Sequence, residues 1–167
     1  MNGAPLATVA LGGVAALDAT PVAQTLLSQP LVTATLLGWM WGNMTLALEV
    51  GIVLQILAAS TLPIGARTPE DYAVGGVAGT GLALLLAHRE PFAMAQEACA
   101  WVGVVASAVA AVAGVPLIKW QRRTHEGLAR WCESEIVAGR AGALATPHGA
   151  ALLLPSRAGL PLTALVL

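Results

Sequence analysis

The sequence predicts an all-α membrane protein: transmembrane helices with broken or re-entrant helical segments, and a cytoplasmic amphipathic helix. Three observations predict it. Hydrophobic residues make up 57% of the 167 and charged residues 10%, with a mean hydropathy of +0.76, whereas about a quarter of the residues in soluble domains are charged. With 8 basic and 9 acidic side chains the net charge is −1, too near zero to keep so apolar a body in solution. That balance also leaves no phosphate-neutralising surface, so nucleic acid is excluded as a partner. Finally, 18 glycines beside 4% aromatics give a chain rich in small side chains, which suits close helix packing in lipid.

Five apolar stretches follow in order: Pro5–Leu17, Pro30–Ala66, Tyr72–Ala87, Phe92–Ile118 and Leu144–Leu167. Crossing about 30 Å of hydrocarbon takes roughly 20 helical residues. Phe92–Ile118 is a good span. Pro30–Ala66 is too long for one pass and too short for two with a loop, and it carries Gly38, Gly42, Asn43, Glu49, Gly51, Gln55, Pro63 and Gly65. Interrupted apolar sequence of this kind predicts a broken or re-entrant helix, tolerated at membrane depth only where protein or enclosed water satisfies its backbone. The last stretch is interrupted by Pro155 and Pro161. The first basic residue is Arg67, so no cleavable signal is expected and residues 1–167 read as a single membrane domain, multi-pass and inserted by its own helices.

Lys119, Arg122, Arg123, Arg130 and Arg140 follow the best span, which predicts a cytoplasmic location for residues 119–140. Trp120, Thr124, Leu128, Trp131 and Glu135 or Ile136 recur there at helical spacing. That pattern suits an amphipathic helix lying at the interface, or equally a connector packed on the cytoplasmic ends of the spans.

Polar groups inside apolar sequence are costly and mark functional candidates. Asp18, Asn43, Glu49, Gln55, Gln96 and Glu97 form that set. In unbroken helix Asn43 and Gln55 lie about 120° apart around the axis, so they converge only if the helix breaks between them. Glu49, between Leu48 and Val50, could face a cavity, stay protonated or sit at a membrane surface. Glu70 and Asp71 after Pro69 suit the start of a helix, where acidic residues are favoured. No cofactor or metal is expected. Residues 75–81 lack the Lys and strand of a phosphate loop, Cys99 and Cys132 show no ligand spacing, and His88, His125 and His148 stand without a partner constellation.

Gln29-Pro30-Leu31-Val32, Leu37-Gly38 with Gly42-Asn43, Gly51-Ile52-Val53-Leu54-Gln55, Ile64-Gly65-Ala66 and Pro69-Glu70 together resemble the enzyme IIC subunit of the mannose/sorbose family of sugar phosphotransferase systems. The family pattern runs Arg-Pro-Leu-Val, a Leu-x-Gly-x-x-x-Gly-Asp run, Gly-x-x-Leu-Glu, and Ile-Gly-Ala followed shortly by Pro-Asp. Ala16-Leu17-Asp18 and Pro116 followed by Arg122-Arg123-Thr124-His125 also sit where the family has a Leu-Asp pair and a proline-ended span leading into a basic segment. The resemblance covers about residues 9 to 150.

It implies a sugar-translocating subunit in the bacterial inner (cytoplasmic) membrane, without a phosphoryl-accepting residue of its own. Such a subunit works in an oligomeric complex with an enzyme IID subunit, while IIA and IIB phosphocarriers relay phosphate to the incoming hexose or related sugar. Carried over by position, Asp18, Asn43, Gln55 and Glu70 are the implied substrate-binding residues, with Glu49 a secondary candidate. The chain departs from the family at two acidic positions, now the amides Asn43 and Gln55. It also departs at Glu49, where the family has an aliphatic residue, and in ending earlier than family members do. Two functions follow: a transport subunit, or a degenerate, non-transporting IIC-like protein with an assembly or signalling role.

Overall fold

The computed structural model describes residues 3–19, 25–60, 68, 70–89, 95–140, 149, 151 and 160–167. All regular structure among them is helical: α1 (Ala4–Asp18), α2 (Pro30–Trp41), α3 (Met44–Ser60), α4 (Tyr72–Ala87), α5 (Gln96–Val137) and a short α6 (160–166). The expectations that rest on Pro63, Gly65, Arg67, Pro69 and Phe92 lie outside the described residues.

The long interrupted stretch is a helical hairpin. Pro30 opens α2 at its first turn, where a missing N–H costs nothing. Gly42 closes it in the left-handed conformation, φ +72°, a position that a Cβ would strain. Asn43 then starts α3, its Oδ1 accepting the Leu46 N–H at 3.2 Å while its own N–H donates to the Gly38 carbonyl at 3.0 Å. The two helices pack through small residues: a Cβ at Gly38 would lie 2.8 Å from the Ala47 Cβ, and one at Gly51 would lie 2.5 Å from the Ala34 Cβ.

The α4–α5 pair shows the closest backbone approach. Gly75 and Gly79 of α4 face Gly103, Ser107 and Ala111 of α5; a Cβ at Gly79 would collide with the Ser107 hydroxyl and the Gly103 carbonyl oxygen. The pair is antiparallel, for Asp71 at the head of α4 meets Gly114 and Ala111, whereas Ala83 meets Gly103. Between these elements lies an apolar core of Leu37, Leu46, Val50, Leu54, Val77, Leu84 and Cys99. Segment 160–167 seats Thr163 and Leu160 against Gly12 and Gly13 of α1, and Leu167 against Gly81 of α4.

Helix α5 differs from expectation in one respect. The span and the amphipathic segment are a single helix of 42 residues that runs through Pro116 without a turn. Pro116 removes one ladder bond and follows Gly114 and Val115, neither a strong helix former, yet the helix continues through all three. The segment after Lys119 therefore leaves the span as its continuation, with Trp120 and Trp131 exposed and Gln121, Thr124, His125, Leu128, Cys132 and Glu135 partly covered. A ring nitrogen of His125 meets the Ala151 carbonyl at 3.1 Å. At the far end the Arg140 guanidinium donates twice to Glu135, at 2.7 and 2.8 Å, and holds that carboxyl below its usual range.

Among the described residues α5 is the one helix long and apolar enough to cross a membrane, while α1, α3 and α4 are shorter apolar helices. It also serves as a ruler. From Ala98 to Ile118 it carries no charge, bounded by Glu97 and Lys119, a length of about 31 Å that matches the hydrocarbon thickness. Exposed Trp101 and Trp120 mark its two ends, as interfacial aromatics do. Level with its middle are Gly75 and Gly76 of α4, and against Gly76 sits Pro30. The N-terminus of α2 thus lies near the centre of the uncharged zone. The Gly42-Asn43 turn lies towards the α5 N-terminus, because the Trp41 ring meets His88 at the end of α4 with centroids 5.6 Å apart.

Candidate functional site

The polar groups converge at the N-terminus of α2. A helix beginning inside an apolar body leaves N–H groups that need acceptors, and Gln29, the capping residue, supplies none from its side chain. Gln55 of α3 does so instead: its Oε1 accepts the Leu31 N–H at 3.3 Å, and its Nε2 donates to Gln29 Oε1 at 2.8 Å. One residue upstream of Gln29, the Ser28 N–H donates to Asp18 Oδ2 at 2.8 Å; Asp18 Oδ1 accepts the Thr25 N–H and, at 2.7 Å, the Thr25 hydroxyl. Asp18 is 3% exposed, so these donors are what permit a carboxylate there. They also hold Leu26 at φ +69°, a strained backbone for a branched side chain. Asp18 and Gln55 are therefore joined through residues 25–29 into one polar constellation.

Glu70 lies at the head of α4, directly before Asp71, which caps the helix by accepting the Val74 N–H at 3.1 Å. The Asp71 N–H donates to the Ala111 carbonyl at 3.0 Å. Both carboxylates thus stand on the side of the α5 midpoint nearer Lys119.

Asn43 is not brought to this place. The helix breaks at Gly42, before Asn43, and runs unbroken from Met44 to Ser60. Asn43 and Gln55 consequently stand about 18 Å apart along one helix, and the condition for their convergence is not met. The cap explains why Asn serves where the family has Asp: both side chains accept the N3 amide equally well. Glu49 is exposed on α3 and accepts from Gln96 Nε2 at 3.3 Å. Of its three expected settings this is the surface one, beside the start of α5. Among the described residues no group of three or more His, Cys, Asp or Glu could hold a metal ion.

Gln29 is the site residue that sequence reasoning missed. The signal was present: Gln29 stands where the family pattern has Arg, in the same chain in which Gln55 stands where it has Glu. The family pattern sets opposite charges at these two positions, and the structure brings them into contact.

Fold and site define a membrane-embedded helical protein with a broken hairpin whose inner end carries a polar cluster. The chain belongs to the family of the sorbose-specific IIC component of the phosphotransferase system, whose description matches residues 6–166. It is similar in fold to a chain of the mannose transporter ManYZ, solved by cryo-electron microscopy in complex with microcin E492, with a TM-score of 0.77 and 18% identity. That match covers 99% of this chain and 63% of the other, so the chain spans somewhat less than two thirds of its structural relative. No curated protein sequence matches it.

Proposed function

We propose that the chain is the sugar-translocating IIC subunit of a mannose-family phosphotransferase system in the bacterial inner membrane, crossing it more than once. In this reading it works with a IID subunit, while IIA and IIB carriers bring the phosphate chemistry. One observation carries the proposal: a helix N-terminus, with an amide pair and a buried carboxylate beside it, set near the middle of an uncharged zone about as thick as a bilayer's core. Broken helices of this kind expose backbone and side-chain donors where a polar solute must cross. The similarity to a mannose transporter supports a hexose as cargo. Gln55, Asp18 and Glu70 form the sugar-facing set, whereas Asn43, as the α3 cap, shapes the hairpin.

Phosphoenolpyruvate-dependent uptake of labelled hexoses tests this, in cells expressing the chain with IIA, IIB and IID. Uptake that requires the chain is the expected result, and Gln55→Ala should lower apparent affinity roughly ten- to a hundredfold, the effect of one lost hydrogen bond in a dry site. The competing reading, an assembly or signalling subunit without transport, is favoured by the internal bonding of Asp18, whose oxygens already accept three donors. Complete complexes with no hexose uptake would select it. A IID partner should also raise thermal stability in detergent, because the polar groups and helix end at the start of α2 need protein or enclosed water around them at membrane depth; equal stability with and without IID would count against the partnership.

A further inference from the structure

We infer that Gln29 is a positioning residue: it holds in place the Gln55 amide, whose orientation the Leu31 N–H selects, and the two side chains act as one uncharged unit at the half-buried start of α2. The inference rests on the reading of Gln55 as a sugar contact.

An amide can be turned over at almost no cost unless its neighbours distinguish oxygen from nitrogen. One neighbour does so here. The Leu31 N–H requires an acceptor, which selects Gln55 Oε1 and turns Gln55 Nε2 towards Gln29, whose own amide presents its Oε1 in reply. Turning Gln55 over would set a donor against the Leu31 N–H, and the bond to Gln29 would survive only if that amide turned over with it. With the orientation fixed, one N–H and one lone pair of Gln55, and both N–H groups and one lone pair of Gln29, remain by valence. A sugar hydroxyl, donor and acceptor at once, is the complement of such a pair. Gln29 reaches Gln55 from a different helix across 26 residues of sequence, so the pairing also ties the start of α2 to the middle of α3. Position explains why the unit is neutral: near the centre of the uncharged zone a single unpaired charge has no water to meet.

The test compares side chains of equal length in the full chain coexpressed with its IID subunit and carriers. Gln29→Met leaves only a weak thioether acceptor, whereas Gln29→Glu in its neutral, protonated form, which desolvation favours, keeps a carbonyl acceptor and adds no charge. Met should raise the uptake KM about tenfold with maximal rate within twofold of wild type, and Glu should restore KM to within about threefold of wild type. A Met variant with wild-type KM, or Met and Glu variants equally impaired, would overturn the inference. A second measurement needs no transport. In purified complex the thermal midpoints of Gln29→Met, Gln55→Met and the double variant should be non-additive, the double falling no further than the worse single. Additive losses would overturn the unit. Absence of uptake in wild type, with non-additive midpoints, would instead remove the transport reading and leave the pair intact.

Discussion

Asp18 shows what a buried charge demands in this chain. Its three donors come from Thr25 and Ser28, none of which stands near it in a regular helix, so the carboxylate organises the turn rather than decorating it. Asp18→Asn replaces one acceptor oxygen by a donor that would face a backbone N–H. It should lower stability by about 2 kcal/mol, read as a thermal midpoint some 4–8 °C lower in detergent. The amide pair supports a second prediction at this scale. Gln55→Glu alone, or Gln29→Arg alone, sets an unpaired charge near the middle of the uncharged zone, at a cost on the order of 2–4 kcal/mol. Together they form an ion pair across a contact that is 2.8 Å in the native chain, and the double variant should recover at least half of the larger loss. A double variant as unstable as the sum of the singles would mean that the two positions do not face each other. Asp18 and Gln55 were legible in the sequence because polar groups stand out in apolar stretches. Gln29 was not, for it borders its stretch instead of interrupting it, and its role depends on a residue brought near only by the hairpin.

Glycines show most clearly what each element requires. In the α4–α5 pair, Gly79 leaves no room for a methyl group: the Ser107 hydroxyl and the Gly103 carbonyl already occupy that place. Gly79→Ala must push two backbones apart and should cost at least 2 kcal/mol. Gly127, in the exposed later part of α5, meets nothing within 4 Å of an added Cβ, so Gly127→Ala should stabilise by about 0.5–1 kcal/mol through helix propensity alone. Opposite signs for the same chemical change, measured by thermal unfolding of the two variants, are the expected outcome. The hairpin offers a comparable contrast at its turn: Asn43→Asp keeps the cap and should be nearly neutral, whereas Asn43→Ala should cost about 1 kcal/mol. Sequence made a broken helix visible, because Pro30–Ala66 is too long for one pass and is interrupted by glycines and polar residues, but it did not place the break at Gly42. It could not show that Pro116 lies inside a continuous helix. Gly114, Pro116 and the charges after them all argue locally for a boundary, and the helix nevertheless runs through them.

For the whole molecule, the continuity of α5 ties the basic segment directly to one end of the uncharged zone. The uncharged zone ends at Lys119, and the helix carries Arg122, Arg123 and Arg130 outward before it closes at Val137. About 27 Å of helix follows the boundary, so its far end stands clear of the headgroups if it keeps the direction of the span. By the positive-inside bias that end is expected in the cytoplasm, since the first 66 residues hold no Lys or Arg to oppose the basic ones after Lys119. Ser134, exposed three residues from the end of α5, reports on this without disturbing the core. In a chain with Cys99 and Cys132 replaced by serine, Ser134→Cys should resist a membrane-impermeant thiol reagent in intact cells and react fully in inverted vesicles. A second reporter, Asn43→Cys at the hairpin turn, lies towards the opposite end of α5, where Gln96 meets Glu49, and should show the reverse pattern. The two readings must be opposite, because a single uncharged stretch of α5 about 31 Å long separates them. Labelling of both from the same side would place the hairpin turn and the basic end of α5 on one face, and would overturn the crossing by α5 itself.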